Sequence, residues 1–194
     1  MHQYDYLSKS ELVKILELIE QSLKCGSPDD VRDLIMSARQ LFEAEFAVCG
    51  LLEAGLPHIT GFVNGNYPDE WISRYMAEGL QRHDPVVRFH SSYATTQIWK
   101  DVFRKYGDPG ARELLKDASD YGLKHGISSA IYVPEADKVA IVTFSDRQDR
   151  FKGRHKKIID ILSAHLNGAI ARSVLSPETG AGAGTTVPQL LPGI

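Results

Sequence analysis

Three large aromatic side chains that carry polar groups recur at intervals of four residues. They are Tyr67, Trp71 and Tyr75. If this segment is helical, the three lie on one face, because residues four apart in a helix are neighbours on its surface. Asp84 follows, and Pro85 holds it outside the helical conformation. Such a set can line a pocket that is apolar over most of its wall and forms a few directed hydrogen bonds.

The same residues also fit a purely structural interpretation. Aromatic residues at helical spacing usually belong to a hydrophobic core, and an Asp-Pro pair usually marks a helix boundary. On composition alone, this interpretation is favoured over a binding pocket.

No group of residues supports catalysis or metal binding. The histidines do not combine with Cys, Asp or Glu at the spacings of known metal sites. Nucleophile-elbow, phosphate-loop and dinucleotide-binding motifs are absent from the sequence. We therefore predict that the protein is not an enzyme and uses no metal or cofactor. Basic residues cluster at 152–157, where a solvated helix end is favoured over a DNA contact.

The composition is that of an ordinary globular domain. The chain has 194 residues, of which 43% are hydrophobic and 24% charged, and its formal net charge is −3. This length predicts one domain, or one domain with an appendage. Two cysteines, Cys25 and Cys49, provide no disulfide framework. A basic region followed by an apolar run is absent from the N-terminus, and no apolar stretch reaches membrane-spanning length. These features predict a cytoplasmic protein.

Hydrophobic periodicity predicts the elements that would position the aromatic residues. Helices are predicted at 9–24, 27–41, 67–82, 86–90, 108–123 and 153–175. Strands are predicted at 46–52, 58–63, 127–133 and 138–145, with a fifth near 93–97. This order predicts an α+β fold, an α/β/α sandwich with a central antiparallel sheet of about five strands flanked by helices.

One set of residues carries a resemblance to a known family. The set consists of Gly65-Asn66-Tyr67-Pro68, Trp71, Tyr75, Asp84-Pro85, Trp99 and Gly122-Leu123 with Gly126. In order and spacing it resembles the autoinducer-binding domain of LuxR-type quorum-sensing regulators, and the LasR and TraR branches in particular. The resemblance covers about residues 10–173. It implies that the ligand is an N-acyl-homoserine lactone.

The resemblance also implies a role for each polar residue of the pocket. Trp71 would donate its indole N–H to the lactone carbonyl, and Asp84 would accept the amide N–H. Tyr67 would donate to the acyl carbonyl. Trp99 would pack over the lactone ring, with Tyr75 closing the same wall.

The remaining pocket residues are expected near the rim and around the acyl tail. Gly126 corresponds to a glycine that the family keeps near the pocket rim. For the tail, alternating strand positions and nearby helices offer candidates, each of which ordinary core packing explains equally well. These candidates are Val48, Gly50, Leu52, Val87, Leu123, Ala140 and Val142.

Two positions depart from the family pattern near the head group. Val142 aligns where the family often has a Ser or Thr that contacts the acyl carbonyl, and Thr143 is expected to face away. Val86 replaces a Thr of LasR-like chains. Both changes would remove hydroxyl groups from the pocket.

The C-terminal segment departs further from the family. Residues 1–175 are assigned to the autoinducer-binding domain, and the Gly-, Ala- and Pro-rich residues 176–194 are predicted to be a disordered tail in place of a helix-turn-helix domain. The sequence is then either an excised fragment or a natural chain that lost its DNA-binding half.

Two functions follow from this assignment. The first is a ligand-sensing domain of a transcription regulator, whose ligand stabilises the fold and a dimer. The dimer would be a homodimer or a heterodimer with a full-length LuxR-type protein, with the long last helix as a contact surface. No DNA binding by this chain and no membrane association are expected. The alternative is a ligand-independent or anti-activator dimerisation module, in which the aromatic residues are plain core.

Overall fold

A five-stranded antiparallel sheet forms the centre of the protein, which was analysed as a computed structural model that describes residues 5–175. Its strands are β1 (Phe46–Glu53), β2 (Ile59–Asn64), β3 (Thr96–Ile98), β4 (His125–Val133) and β5 (Lys138–Asp146). They lie in the order β2-β1-β5-β4-β3. The predicted fold class is confirmed, and β3 is the fifth strand that was expected near 93–97.

Seven α-helices are described in residues 5–175, and they cover both faces of the sheet. They are α1 (Lys9–Lys24), α2 (Pro28–Leu41), α3 (Asp69–Ala77), α4 (Pro85–His90), α5 (Trp99–Lys105), α6 (Pro109–Asp120) and α7 (Gly153–Leu175). The main hydrophobic core joins α1, α2 and α7 to one face. Two smaller clusters lie on the opposite face, under α3 to α6. The predicted tail at 176–194 lies outside the described residues.

The first two helices begin where side-chain caps satisfy free backbone N–H groups. Ser8 and Glu11 form a capping box at α1, and Ser27 and Asp30 form another at α2. Each helix then buries one apolar face against α7 or the sheet, so this layer packs onto the main hydrophobic core.

Helix α7 is a core helix. By length and composition it could cross a membrane, with a mean hydropathy of 1.2, but half of that window is buried inside the fold. Its apolar residues Ile158, Ile159, Leu162, Leu166 and Ile170 are all fully buried within this one chain. This apolar face therefore packs inside the fold, and the predicted role of α7 as a dimer surface stays a prediction for its remaining residues.

The aromatic segment is divided where the sequence predicted one helix over 67–82. Helix α3 ends at Ala77, and Gly79 adopts a positive φ of 59° before a 3₁₀ turn at Leu80–Arg82. Glycine adopts this left-handed conformation without steric cost, so it ends the helix. The preceding segment is also not helical: Tyr67 lies one residue before Pro68, the N-cap of α3. Trp71 and Tyr75 alone lie on the helix.

Candidate ligand-binding site

A cavity of about 120 Å³ lies between the sheet and helices α3 to α6. It contains all five polar or aromatic residues of the sequence prediction: Tyr67, Trp71, Tyr75, Asp84 and Trp99. Five of the residues predicted to contact the acyl tail also line the cavity: Val48, Gly50, Leu52, Val87 and Leu123. The structure thus brings together residues that the chain separates by up to 75 positions.

Tyr67 is held at the cavity by the turn that precedes α3. The side chain of Asn64 accepts from the Tyr67 backbone N–H at 2.8 Å and donates to its carbonyl at 3.0 Å. Asn66 then accepts from the Ala47 N–H of β1 and donates to the carbonyl of Glu45, the residue before that strand. Two asparagines therefore attach this turn to the sheet and fix the position of the phenol ring.

The hydroxyl of Tyr67 has one partner among residues 5–175. Ser145 Oγ donates to it at 2.9 Å. The phenol is buried, and burial raises its pKa above the ordinary value, with Asp84 adding to the shift. Tyr67 is therefore neutral at physiological pH and keeps its own proton available for a hydrogen bond.

Asp84 is the N-cap of α4 and also faces the cavity. Its Oδ1 accepts from the backbone N–H of Val86 at 2.8 Å and of Val87 at 3.4 Å, while Tyr75 OH donates to Oδ2 at 2.9 Å. Burial raises the pKa of Asp84, and these three hydrogen bonds oppose the shift. Because a carboxylate offers about four lone-pair positions, one acceptor position stays open.

Trp71 supplies a hydrogen-bond donor without a partner. Its side chain is 4% exposed and contacts the rings of Tyr75 and Tyr121 at centroid distances of 5.7 and 5.4 Å. Within residues 5–175, its indole N–H makes no hydrogen bond. Because Trp71 lines the cavity, this N–H is available to donate to a ligand oxygen.

Trp99 is held in place by strand β4, against which its ring packs. Its indole Nε1 donates to Ser128 Oγ at 2.9 Å. Gly126 does not line the cavity. A Cβ atom there would lie 2.4 Å from Cε2 of Trp99, so the ring lies directly on the glycine backbone. Gly126 therefore supports the aromatic wall from behind.

On strand β5, the residues that line the cavity are shifted by one position from the predicted ones. Ala140 and Val142 do not line the cavity, because they point into the core on the α7 side. Ile141 and Thr143 line it instead. Side chains alternate along a strand, so a register error of one residue exchanges the two faces. The cavity thus has a hydroxyl, Thr143, where the sequence comparison predicted none.

Several lining residues were not among the predicted ones. They are Cys49, Ile59, Phe62, Ile72, Met76, Val86, Phe103, Leu114, Leu115, Ala118, Ile141 and Thr143. Val86 lines the wall beside Asp84, at the position where LasR-like chains have Thr. The apolar period of α6 predicts a buried face at Leu114 and Ala118, but a core and a cavity wall need the same residue types.

The site offers hydrogen-bonding groups but no metal centre. Within residues 5–175, no three His, Cys, Asp or Glu side chains form a group that could hold a metal ion. The polar groups lie at one part of a wall that is otherwise apolar. This arrangement suits a small amphiphilic ligand with a polar head and a hydrocarbon tail.

Comparisons with known proteins point to one family. Residues 27–170 match the profile of the autoinducer binding domain. The transcriptional activator VanR of Vibrio anguillarum is 30% identical over 122 residues, which cover 62% of this chain and 50% of VanR. RpaR of Rhodopseudomonas palustris, a quorum sensing-dependent transcriptional regulator, is 30% identical over 96 residues, 44% of this chain and 39% of RpaR. The chain spans half or less of the length of these relatives.

Solved structures share the fold at low sequence identity. CepR2 of Burkholderia cenocepacia, described as an N-acylhomoserine lactone-dependent LuxR family transcription factor, has a TM-score of 0.67 at 20% identity, over 87% of this chain and 96% of CepR2. SdiA in complex with octanoyl-rac-glycerol has a TM-score of 0.68 at 19% identity, over 94% and 74%. The profile match covers well over half of the sequence. The chain therefore belongs to the autoinducer-binding domain family of LuxR-type regulators, whose role is to sense a small-molecule ligand.

Proposed function

We propose that the chain binds an N-acyl-homoserine lactone in the cavity under α3 to α6. The observation that carries this proposal is the pairing of an unpartnered donor, Trp71 Nε1, with a buried carboxylate, Asp84, in one apolar cavity. A lactone carbonyl and an amide N–H are the complementary groups. A charged acceptor also makes the stronger hydrogen bond to the amide.

The other groups of the ligand find matching residues on the same wall. The Tyr67 hydroxyl is positioned to donate to the acyl carbonyl, and Trp99 and Tyr75 to pack beside the lactone ring. The acyl tail would lie among Leu52, Ile141 and the apolar residues of α6. Burial of each tail methylene contributes about 0.8 kcal/mol, so the depth of this apolar region sets the preferred tail length.

We propose further that ligand binding controls a cytoplasmic transcription regulator. The relatives are longer proteins described as transcriptional activators or regulators. In this proposal residues 5–175 sense the ligand and make no DNA contact themselves, and the chain assembles as a homodimer or with a full-length relative. Sedimentation velocity with and without lactone tests the assembly, and an unchanged monomer would contradict it.

The melting temperature of the purified chain tests the ligand proposal. The panel contains acyl-homoserine lactones of graded tail length and octanoyl-glycerol, the ligand in the SdiA structure. A ligand at 100 times its dissociation constant stabilises the folded state by about 2.7 kcal/mol, a rise of several degrees. We expect this rise for lactones of one range of tail lengths.

Two outcomes contradict the proposal. A rise with octanoyl-glycerol alone would assign a different acylated ligand to the site. A flat response to the whole panel, from protein that mass spectrometry shows to carry nothing bound, would favour a ligand-independent module.

A further inference from the structure

Helix α1 carries a second apolar stripe beside the face that it buries. The buried face includes Ile15 and Leu18, which pack in the main core. On the neighbouring face, apolar residues recur at steps of four, three and four, the spacing of a coiled-coil seam. These residues are Leu12, Leu16, Ile19 and Leu23. A surface helix usually has a single apolar face, so the second one requires an explanation.

Most of this stripe is exposed to solvent. The exposed fractions are 38% for Leu12, 66% for Leu16 and 68% for Leu23, and Val13 beside them is 47% exposed. Within residues 5–175, eight large hydrophobic residues are exposed, and these four are among them. Such a concentration of exposed apolar residues on one helix is typical of a surface that another segment covers.

The charges on α1 favour an uncharged partner for the stripe. The helix has three lysines and three glutamates, so it carries no net charge. Lys14 pairs with Glu17 at 3.6 Å, and Lys24 pairs with Glu20 at 2.6 Å. These residues already neutralise one another along the helix, and they leave no excess of one sign to attract a charged segment.

The chain leaves α7 at one end of the stripe. Helices α1 and α7 run parallel, because Arg154 pairs with Glu11 near their first turns. Near their last turns, Arg172 donates to the Ser22 carbonyl at 2.8 Å. Helix α7 ends three residues after Arg172, about 5 Å further along its axis. The chain that follows α7 therefore starts close to Leu23.

The segment after α7 has a polar part and an apolar end. Residues 176–186 contain no Val, Leu, Ile, Met or aromatic residue, whereas residues 187–194 read VPQLLPGI. This end carries no charge and has four large apolar side chains. They are Val187, Leu190, Leu191 and Ile194. The end of the tail that was predicted to be disordered therefore has the composition that the stripe favours.

The polar part is long enough to carry this end along the whole stripe. From Leu23 to Leu12 the stripe is about 17 Å long, at about 1.5 Å per residue. Residues 176–186 can span up to about 36–40 Å, and Gly-rich linkers of this length have a typical end-to-end distance of about 17–20 Å. Attachment through such a linker gives an effective concentration on the order of millimolar, so a small apolar contact is sufficient.

We propose that residues 187–194 dock on the exposed apolar stripe of α1 in the same chain. This contact covers leucines that the described fold leaves in water. It is separate from the proposed ligand site, because α1 packs on the α7 side of the sheet and the cavity lies on the other. A second copy of the chain would need the same stripe, so the docked segment also prevents α1 from acting as a dimer surface.

Photo-crosslinking from the stripe identifies the segment that covers it. A benzophenone amino acid takes the place of Leu16 in the full chain, and mass spectrometry identifies the crosslinked peptide. A mixture of isotope-labelled and unlabelled protein separates contacts within a chain from contacts between copies. We expect crosslinks to residues 187–194 of the same chain. The control probe replaces Arg104 on α5, whose side chain is 79% exposed, and should give no such crosslinks.

A double substitution tests the contact from the other side. Leu190→Asp together with Leu191→Asp places two charges in the apolar end and lies outside residues 5–175, so it leaves the described fold unchanged. With the probe at Leu16, this variant should reduce the crosslinks to the level of the Arg104 control.

Chymotryptic cleavage after Leu190 provides a second measurement. The protease acts on the undocked segment, so the cleavage rate reports its population. Leu16→Gln should raise the rate about tenfold, the change in equilibrium expected when one apolar leucine contact is lost. The matched control is Leu56→Gln, which removes a leucine that is 57% exposed in the turn between β1 and β2. That variant should keep the original rate.

The other outcomes overturn the proposal. Crosslinks to a second copy or to residues 1–4 would assign a different occupant to the stripe. The absence of any crosslink from position 16, or equal cleavage rates in Leu16→Gln and the unaltered chain, would show that the stripe is not covered by this segment.

Discussion

Asp84 combines two tasks in one side chain. One carboxylate oxygen caps α4 through the backbone N–H groups of Val86 and Val87, and the other accepts from Tyr75 and faces the cavity. Asparagine can perform the first task, because its side-chain oxygen is an equally good N-cap acceptor. It cannot offer a charged acceptor to a ligand amide. The two tasks can therefore be separated by one substitution.

Asp84→Asn should abolish most of the lactone affinity without unfolding the protein. Loss of a charge-assisted hydrogen bond costs about 1.5–3 kcal/mol, which corresponds to a dissociation constant that is about 10 to 150 times larger. Titration calorimetry measures the affinity, and circular dichroism verifies the fold. Retained affinity in a folded variant would exclude Asp84 as the amide acceptor.

The stability of the ligand-free protein should respond to the same substitution with a specific pH dependence. Burial raises the pKa of Asp84, so the folded state disfavours its ionised form and carries a penalty at neutral pH. Asp84→Asn removes this penalty. The variant should match or exceed the original in unfolding free energy at pH 7, and the advantage should fade as the pH is lowered toward the ordinary aspartate pKa of about 3.8–3.9.

Asp108 provides the matched control, because it is also an N-cap followed by proline. Its pKa is lowered, chiefly by the hydrogen bond from Arg88. The ionised form therefore stabilises the fold above the ordinary pKa, and this contribution is lost as the pH falls through the lowered pKa. Asp108→Asn should destabilise at pH 7. Urea unfolding at several pH values measures the change in unfolding free energy for both variants. Two changes of the same sign at pH 7 would contradict the opposite pKa shifts of Asp84 and Asp108.

At the scale of elements, β4 supports the aromatic wall through a residue without a side chain. The Trp99 ring occupies the space where a Cβ of Gly126 would lie, and its N–H is bonded two residues along the same strand at Ser128. The first residue of α5 and the middle of β4 therefore form one unit of the cavity.

Gly126→Ala should displace this unit. A Cβ 2.4–2.8 Å from three ring atoms forces Trp99 to move, which costs about 1–3 kcal/mol and breaks the bond to Ser128. Lactone affinity should fall at least tenfold, measured at a temperature where the variant is fully folded. Gly153→Ala is the control, since nothing lies within 4 Å of its added Cβ. Equal losses in the two variants would contradict the supporting role of Gly126.

The sequence predicted elements well where local signals agree. Helices α1 and α7 have the predicted bounds because apolar periodicity marks both, and a capping box also marks the start of α1. Helix α5 was not predicted, since its seven residues are too few and too charged to show a period. Strand β5 was predicted, but its register could not be, because both faces are buried and its apolar residues do not alternate. Because of this ambiguity, the sequence analysis assigned Val142 to the cavity, whereas Thr143 lines it.

At the scale of the whole molecule, the two helical layers differ in what they cover. Helices α1, α2 and α7 pack on a filled core, whereas α3 to α6 cover the cavity. The covering layer is held partly by ion pairs, Arg74 with Asp117 between α3 and α6, and Arg88 with Asp108 between α4 and the start of α6. Without a ligand, fewer apolar contacts stabilise this layer.

Hydrogen exchange should reveal this difference. In the ligand-free protein, amides of α6 should exchange within seconds to minutes through local opening, and a bound lactone should slow them markedly. Amides of α1 should change little on the same timescale, because the cavity does not reach that layer. Exchange measured by mass spectrometry tests this, and equal protection of α1 and α6 would contradict a local effect.

The alternation along the two central strands makes the protein suitable as a biosensor scaffold. Even-numbered positions 48–52 of β1 and odd-numbered positions 141–145 of β5 face the cavity or its polar groups. The residues between them pack in the α7 core, and of these Cys49 also borders the cavity. A mutagenesis library confined to the first set would sample new signal molecules while leaving the folding core unchanged. Because the two sets of residues alternate along the same strands, ligand specificity and folding stability can be varied independently.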